Sequence, residues 1–524
     1  MTKSISEEVL PSALATMKLQ PENEMFALDS DSDFAEDEVR PLFGAHPTSS
    51  SRCRPPSRNS AIALVVLFLS SLVILLSVTT AHEIPNIDDT KISHYWGQYS
   101  PFFSLEDQSE INPAIPPECN ITFVQVLARH GARFPTAHKS AMYTKLVDRI
   151  QQTATEYKTD VYALLKDYRY KLGADDLTSF GEQQMINMGT SLYDRYEQLA
   201  RQNVPFVRAS GSDRVIASGA LFSKGFNDAK AFDPYSDKSQ HNTTVSLVIP
   251  EGRQWNNTLD TGTCDAFSDG SPAHKVQQEF LGIFAPSILE RLVANMPGVN
   301  LELHDIPLLM DLCPFETVNS KNGTMSPLCD LFTLSEWQSY DYYNTLEKYY
   351  AFGAGNPLGS TRGVGYVNEI ISRMTKTLPV SDHTSVNHTL DSDPTTFPLD
   401  TALYADFSHD NAMVSIFDAF GLYNSTVPLS ARNVQSATET EGYAASWIVP
   451  FASRAFFEVM ECSSYNLAGE ERLVRVLVND RVVPLHGCDI DSLGRCRLND
   501  WVNGLDFARN GGRWDDYCSK PKNG

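Results

Sequence analysis

Positive charge is scarce in this chain: 42 Lys and Arg stand against 65 Asp and Glu over 524 residues, a formal net charge of −23 at pH 7. That balance excludes nucleic acid as a default partner, and any anionic ligand has to find a local basic pocket. No group of His, Cys, Asp and Glu has the spacing of a zinc site, and no Gly-rich nucleotide loop is present. Neither a metal nor a nucleotide is implied, and no cofactor is expected. An internal repeat is also missing, which excludes a repeat architecture. Residues 1–60 lack apolar periodicity and hold a single cysteine, Cys53. With the acidic run Asp29 to Asp33 and Glu36 to Glu38 followed by a Ser, Pro and Arg stretch, they read as a disordered tail.

Charge disappears altogether between Ala61 and Val78, an almost wholly aliphatic run near the length that crosses a bilayer. Arg52, Arg54 and Arg58 precede it, whereas Glu83, Asp88 and Asp89 follow. The positive-inside rule then puts the tail in the cytosol, 61–81 in the membrane as a signal anchor, and 82–524 in a lumen or outside the cell. The small residues Thr79, Thr80 and Ala81 leave open cleavage near Ala81, which would release a secreted protein. Eight cysteines follow the span and fit four disulfides in an oxidising compartment, with the pairing open. Six Asn-x-Ser/Thr sequons, at Asn120, Asn242, Asn256, Asn322, Asn387 and Asn424, also follow it, as a glycoprotein requires. The first 81 residues hold six Lys and Arg and ten Asp and Glu, so the remainder keeps 36 and 55, a formal charge of −19.

Against that acidic background one turn is basic: Arg129-His130-Gly131-Ala132-Arg133-Phe134-Pro135. Phosphoryl transfer spreads negative charge over three oxygens, and Arg129 and Arg133 can each meet it bidentately. Between them, His130 can attack phosphorus with a neutral imidazole nitrogen. Gly131 is expected to let the backbone approach the ligand, and Pro135 to end the turn. Ile121 to Leu127 reads as a strand, so the turn sits at a strand's carboxyl end, where open α/β sheets bind ligands. A second strand-like run, Ala402 to Phe407, is followed by Ser408-His409-Asp410-Asn411.

The complete R-H-G-x-R-x-P motif with a distal His-Asp pair resembles the histidine acid phosphatases of the histidine phosphatase superfamily. Tyr95 to Phe103, Leu172 to Leu177, Gly353 to Gly359 and Arg475 to Pro484 are similar to the fungal phytases, a likeness running from about residue 93 to 519. The resemblance implies an α/β, phosphoglycerate mutase-like central sheet flanked by helices, with a smaller, mainly helical domain inserted between about 140 and 390. It implies a phosphohistidine on His130, Arg129, Arg133 and His409 as phosphate ligands, and Asp410 as proton donor. A third phosphate-binding arginine of the family is carried to Arg214, with Arg208 as the weaker candidate; the Ser210-Gly211-Ser212 turn before a helix is itself an anion cradle. The implied disulfides are Cys119–Cys462, Cys264–Cys518, Cys313–Cys329 and Cys488–Cys496; the family's extra N-terminal cysteine pair is absent.

Substrate lysines of such enzymes are matched by Lys166 and Lys348. Glu347 departs from the pattern, and an acid there would repel a polyanion such as phytate. The expected partners are small phosphate monoesters, inositol phosphates among them, together with a membrane through the one N-terminal helix. The alternatives are a broad acid phosphatase with little phytase activity, a phosphoglycerate mutase-like transferase, and a membrane-anchored protein that binds without catalysis. Elsewhere, Ser179 to Glu182 has a capping-box pattern ahead of the stripe Met185, Met188, Leu192, Tyr196 and Leu199. Met413, Ile416, Phe417 and Phe420 continue helically to Gly421. Asn479-Asp480 reads as a hairpin turn.

Overall fold

Apolar residues at both parities make Cys119–Arg129 the spine of the sheet. Phe123 and Leu127 enter one buried core, Val124, Val126 and Ala128 the other, as in strands covered on both faces. The structure is a computed structural model and describes residues 92–518 except 253, 261, 263, 268–271, 380–383 and 464–471. The expected tail, the expected span at 61–81 and Cys53 lie outside the described residues. Within the described residues, no helix is long and apolar enough to cross a membrane.

Among the described residues, eight strands form one mixed sheet: β1 (Cys119–Arg129), β2 (Phe206–Ser210), β3 (Val245–Ile249), β4 (Leu403–Ser408), β5 (Arg454–Cys462), β6 (Arg472–Val478), β7 (Arg481–Val483) and β8 (Cys496–Arg497). Their order is β3-β2-β4-β1-β5-β6-β7, with β8 paired to β6. The first four are parallel, whereas β5, β6 and β7 run antiparallel. Asn479 and Asp480 turn β6 into β7 at φ 49° and 69°, the left-handed pair of a tight hairpin.

The helices follow as α1 (Ala137–Thr153), α2 (Asp160–Asp167), α3 (Ser179–Arg195), α4 (Asp213–Phe232), α5 (Pro272–Asn295), α6 (Asp305–Asn319), α7 (Leu334–Glu347), α8 (Gly359–Thr375) and α9 (Asp410–Ala419). The stripe Met185, Met188 and Leu192 of α3 packs with Phe222 and Phe226 of α4 against the β1, β2 and β4 side chains of one sheet face. Each contributes about 1.5–3 kcal/mol by burial. The cap of α3 is Thr178, whose hydroxyl accepts from the Gly181 N–H at 3.1 Å, one residue before the Ser179 expected from sequence. The opposite face shares its core with α1, α5, α6 and α7. These helices come from two segments, 137–167 and 272–347. Of the intervening elements, β2 and β3 belong to the sheet, and α3 and α4 pack on its other face. Disulfides join Cys119 to Cys462, Cys264 to Cys518, Cys313 to Cys329 and Cys488 to Cys496, the pairs that the resemblance implies.

Candidate active site

Because β1 and β4 pair in parallel with Arg129 opposite Ser408, the two segments that follow them leave the sheet side by side. His130 and His409 therefore meet, ring centroids 5.6 Å apart. The His130 N–H donates to the Ser408 carbonyl at 3.2 Å, and its own carbonyl accepts from Ala452 N–H at 2.9 Å. Backbone bonds on both sides thus fix the nucleophile candidate.

The glycine of the motif serves packing. A Cβ on Gly131 would stand 2.4 Å from the Gly181 carbonyl oxygen, and one on Gly181 would stand 1.9 Å from the Ala132 carbonyl oxygen. The turn is therefore pressed against the N-terminus of α3. Besides the approach to a ligand expected of it, Gly131 permits this close contact with the helix. From α4, the Ser218 hydroxyl accepts the Gly131 N–H at 3.1 Å.

His130 is buried, with Nδ1 2.8 Å from the Gly131 carbonyl oxygen. Nδ1 is thereby the protonated nitrogen, and Nε2 carries the free lone pair. Burial first, then Arg129, Arg214 and Arg133, hold its pKa well below the usual histidine value. Arg129 is clamped by the Gln98 and Val449 carbonyls, the latter at 2.8 Å, and lies 4.7 Å from the centre of the Phe451 ring. Arg133 donates to the Phe134 carbonyl at 2.9 Å. Arg214, in the first turn of α4, is half-buried, and its charge acts on both His130 and Glu251.

Asp410 opens α9 and is buried between two cations, Lys348 Nζ at 2.9 Å and Arg129 Nη2 at 3.4 Å. Burial alone would raise its pKa. The two cations outweigh it and hold the carboxyl well below the usual carboxylate range. Lys348, expected as a substrate contact, lies against Asp410. It is fully buried, bonded to Asn411 Oδ1 at 2.7 Å and 3.9 Å from Glu347. Lys166 stands exposed in the last turn of α2, and among the described residues no hydrogen bond or ion pair joins it to the others. Arg208, the weaker candidate for the third arginine, is committed elsewhere. It bridges Asp406 at 2.8 Å and Glu369 at 2.6 Å beneath the sheet, where Arg373 and Gln125 complete a buried network.

Sequence reasoning missed Glu251, just past β3. Its Oε1 lies 2.8 Å from His409 Nε2 and accepts from the Ser210 hydroxyl at 2.7 Å and the Ser212 N–H at 3.1 Å. No motif marks a lone Glu after Pro250; only the pairing of β2 with β3 brings it in.

Sheet topology and the two strand-end histidines define a class. The chain belongs to the histidine phosphatase superfamily (branch 2), whose sequence profile matches residues 120–479. Within that class it is most readily compared with phytases. Phytase A of Aspergillus fumigatus is 55% identical over 429 residues, covering 82% of this chain and 91% of that protein. Phytase A of Emericella nidulans is 53% identical over 425 residues, covering 81% and 90%. Among solved structures, the phytase from D. castellii shares the fold with a TM-score of 0.65 at 22% identity, over 84% of this chain and 91% of that one.

Proposed function

We propose that this chain is an acid phosphomonoesterase that hydrolyses phosphate monoesters, phytate (myo-inositol hexakisphosphate) among them, through a phosphohistidine on His130. The observation that carries the reading is a neutral imidazole with Nε2 free, set among Arg129, Arg133 and Arg214. Nε2 attacks phosphorus and the bond to the ester oxygen breaks. Asp410 gives its proton to the leaving alcohol, then as carboxylate takes one from the water that splits the phosphohistidine. Arg129, Arg133, Arg214 and His409 hold the equatorial oxygens.

In the ligand-free site Arg129 and Lys348 keep Asp410 ionised. A phosphate between Arg129 and Arg133 draws the Arg129 charge to itself and brings negative charge beside the carboxyl, both of which favour the protonated acid. A monoanionic ester also carries the proton with it, so the optimum is acidic. The test is phosphate release from phytate and p-nitrophenyl phosphate between about pH 2.5 and 7 with EDTA present. Release from both at acid pH supports the reading, and the ratio of the two kcat/KM values separates a phytase from a generalist. A folded protein that releases none points to binding without catalysis.

We also infer that 61–81 anchors the catalytic part, 82–524, on the lumenal or outer side of a membrane, supported by the oxidised cysteines. Resistance of the full chain to an alkaline carbonate wash of membranes supports the anchor. A mature N-terminus near residue 82 favours secretion after cleavage.

A further inference from the structure

Glu251 is a charged side chain of the pocket to which the mechanism above gives no part. Its carboxylate is held by donors from two other elements, the Ser210 hydroxyl at the end of β2 and the Ser212 N–H before α4. Ser210 is itself braced by the Asn257 amide at 3.0 Å. The Glu251 side chain keeps 31% of its exposure and His409 only 7%, so the carboxylate is the solvent-facing member of the pair. The charged and titratable groups facing it among the described residues are His409, between β4 and α9, and Arg214 from α4. On its own loop, Asp260 accepts from the Gly252 N–H at 3.3 Å. His130 lies next to His409. A phosphate that takes a bond from His409 or Arg214 therefore meets a carboxylate already bonded to the first and within reach of the charge of the second.

We propose that Glu251 is a positioning residue that holds His409 through Nε2 and selects the charge state of the phosphate admitted, favouring the monoanion over the dianion. The second ionisation of a phosphate monoester falls at about pH 6. Each added negative charge on the ligand increases its repulsion from the fixed carboxylate. Burial pushes the Glu251 carboxyl up, but the bond to His409 and the Arg214 charge prevail and hold it at about 2, so it stays ionised through the working range. This inference rests on the phosphate-binding reading of the site, and it makes Glu251 a second source of the acid preference, acting on binding, beside Asp410, which acts on the leaving group.

Calorimetry on the full chain with inorganic phosphate reads binding without turnover. Wild type should bind phosphate at least about tenfold more weakly at pH 8 than at pH 5, and Glu251→Gln should narrow that ratio to about threefold or less by tightening the pH 8 value. In turnover at pH 5, Glu251→Gln, whose side-chain oxygen still accepts from His409, should keep kcat within about threefold, whereas Glu251→Ala should lose about tenfold with unchanged near-UV circular dichroism. Sulfate, a dianion across this range, gives an arm without any variant: wild type at pH 5 should bind phosphate at least about tenfold more tightly than sulfate. An unchanged pH ratio in Glu251→Gln, equal kcat in the Gln and Ala variants, or equal affinity for sulfate and phosphate overturns the proposal. A chain that binds phosphate yet releases none from any ester sinks the hydrolase reading, and the Kd values alone then decide this one.

Discussion

Burial and three guanidinium groups keep the His130 ring neutral at pH values where a free histidine is charged. Neutrality at acid pH is what a nucleophile working there needs. His130→Ala should therefore lower phosphate release by at least about 10⁴-fold while near-UV circular dichroism stays as in wild type. Residual turnover near the wild-type level would remove His130 as nucleophile. At Asp410 the discriminating variable is the leaving group. Asp410→Asn should slow phytate hydrolysis by about 10²–10⁴-fold and p-nitrophenyl phosphate far less, since nitrophenolate departs without a proton. Equal losses on both substrates remove Asp410 as the acid. Lys348 is one of the two cations depressing the Asp410 pKa. Lys348→Met should let that carboxyl protonate more readily and move the alkaline limb of the kcat profile to higher pH. His130, Arg129, Arg133 and the His409-Asp410 pair were legible because each motif is one contiguous run. Glu251 was not, because its partner His409 is 158 positions away. The burial of Lys348 was hidden for the same reason, since only the return of the chain at α9 brings Asp410 to it.

At the scale of elements, the strands and the hairpin could be read because their period is local: β1 and β4 fall on the expected runs, β1 extending past both ends. The start of α3 was misplaced by one residue because Thr178 and Ser179 are both capping types, and only the bond to Gly181 tells them apart. That helix start abuts the catalytic turn, so it offers a sharp test. Gly181→Ala puts a methyl 1.9 Å from a backbone oxygen that cannot step aside. It should lower stability by about 1–3 kcal/mol in chemical denaturation and raise KM through the displaced turn. The polar network under the sheet is the other long-range feature that composition conceals. Asp406→Asn leaves Arg208 and Arg373 without their shared carboxylate, and about 3–5 kcal/mol of stability should go with it.

For the whole molecule, buried carboxyls set the pH dependence of stability. Burial raises Asp341 and Asp418 to about 7 and Asp391 to about 8. An acid whose folded pKa lies above its unfolded value binds more protons when folded, so stability rises as pH falls from about 8 toward 4. Burial of His130 and His94 as neutral rings works the other way below about 6.5, but these two oppose three carboxyls. The depressed carboxyls of Glu251, at about 2, and of Asp406 and Asp410 give up their support progressively as pH falls below about 4.5. Urea denaturation should therefore give a larger unfolding free energy at pH 4.5 than at pH 7.5, and Asp418→Asn should reduce the difference. A chain less stable at pH 4.5 would show that these carboxyls do not govern the balance.

The pairing of β1 with β4 and β5 also governs how the protein is born. His409 emerges 279 positions after His130, and β5 later still. At roughly 5–20 residues per second on the ribosome, β1 waits some tens of seconds for either neighbour. Until then it is an apolar strand with two open edges, prone to pairing with the wrong chain. Biogenesis should accordingly depend on folding helpers in the compartment of synthesis, and no ribosome-bound fragment ending before residue 409 can hold an assembled pocket.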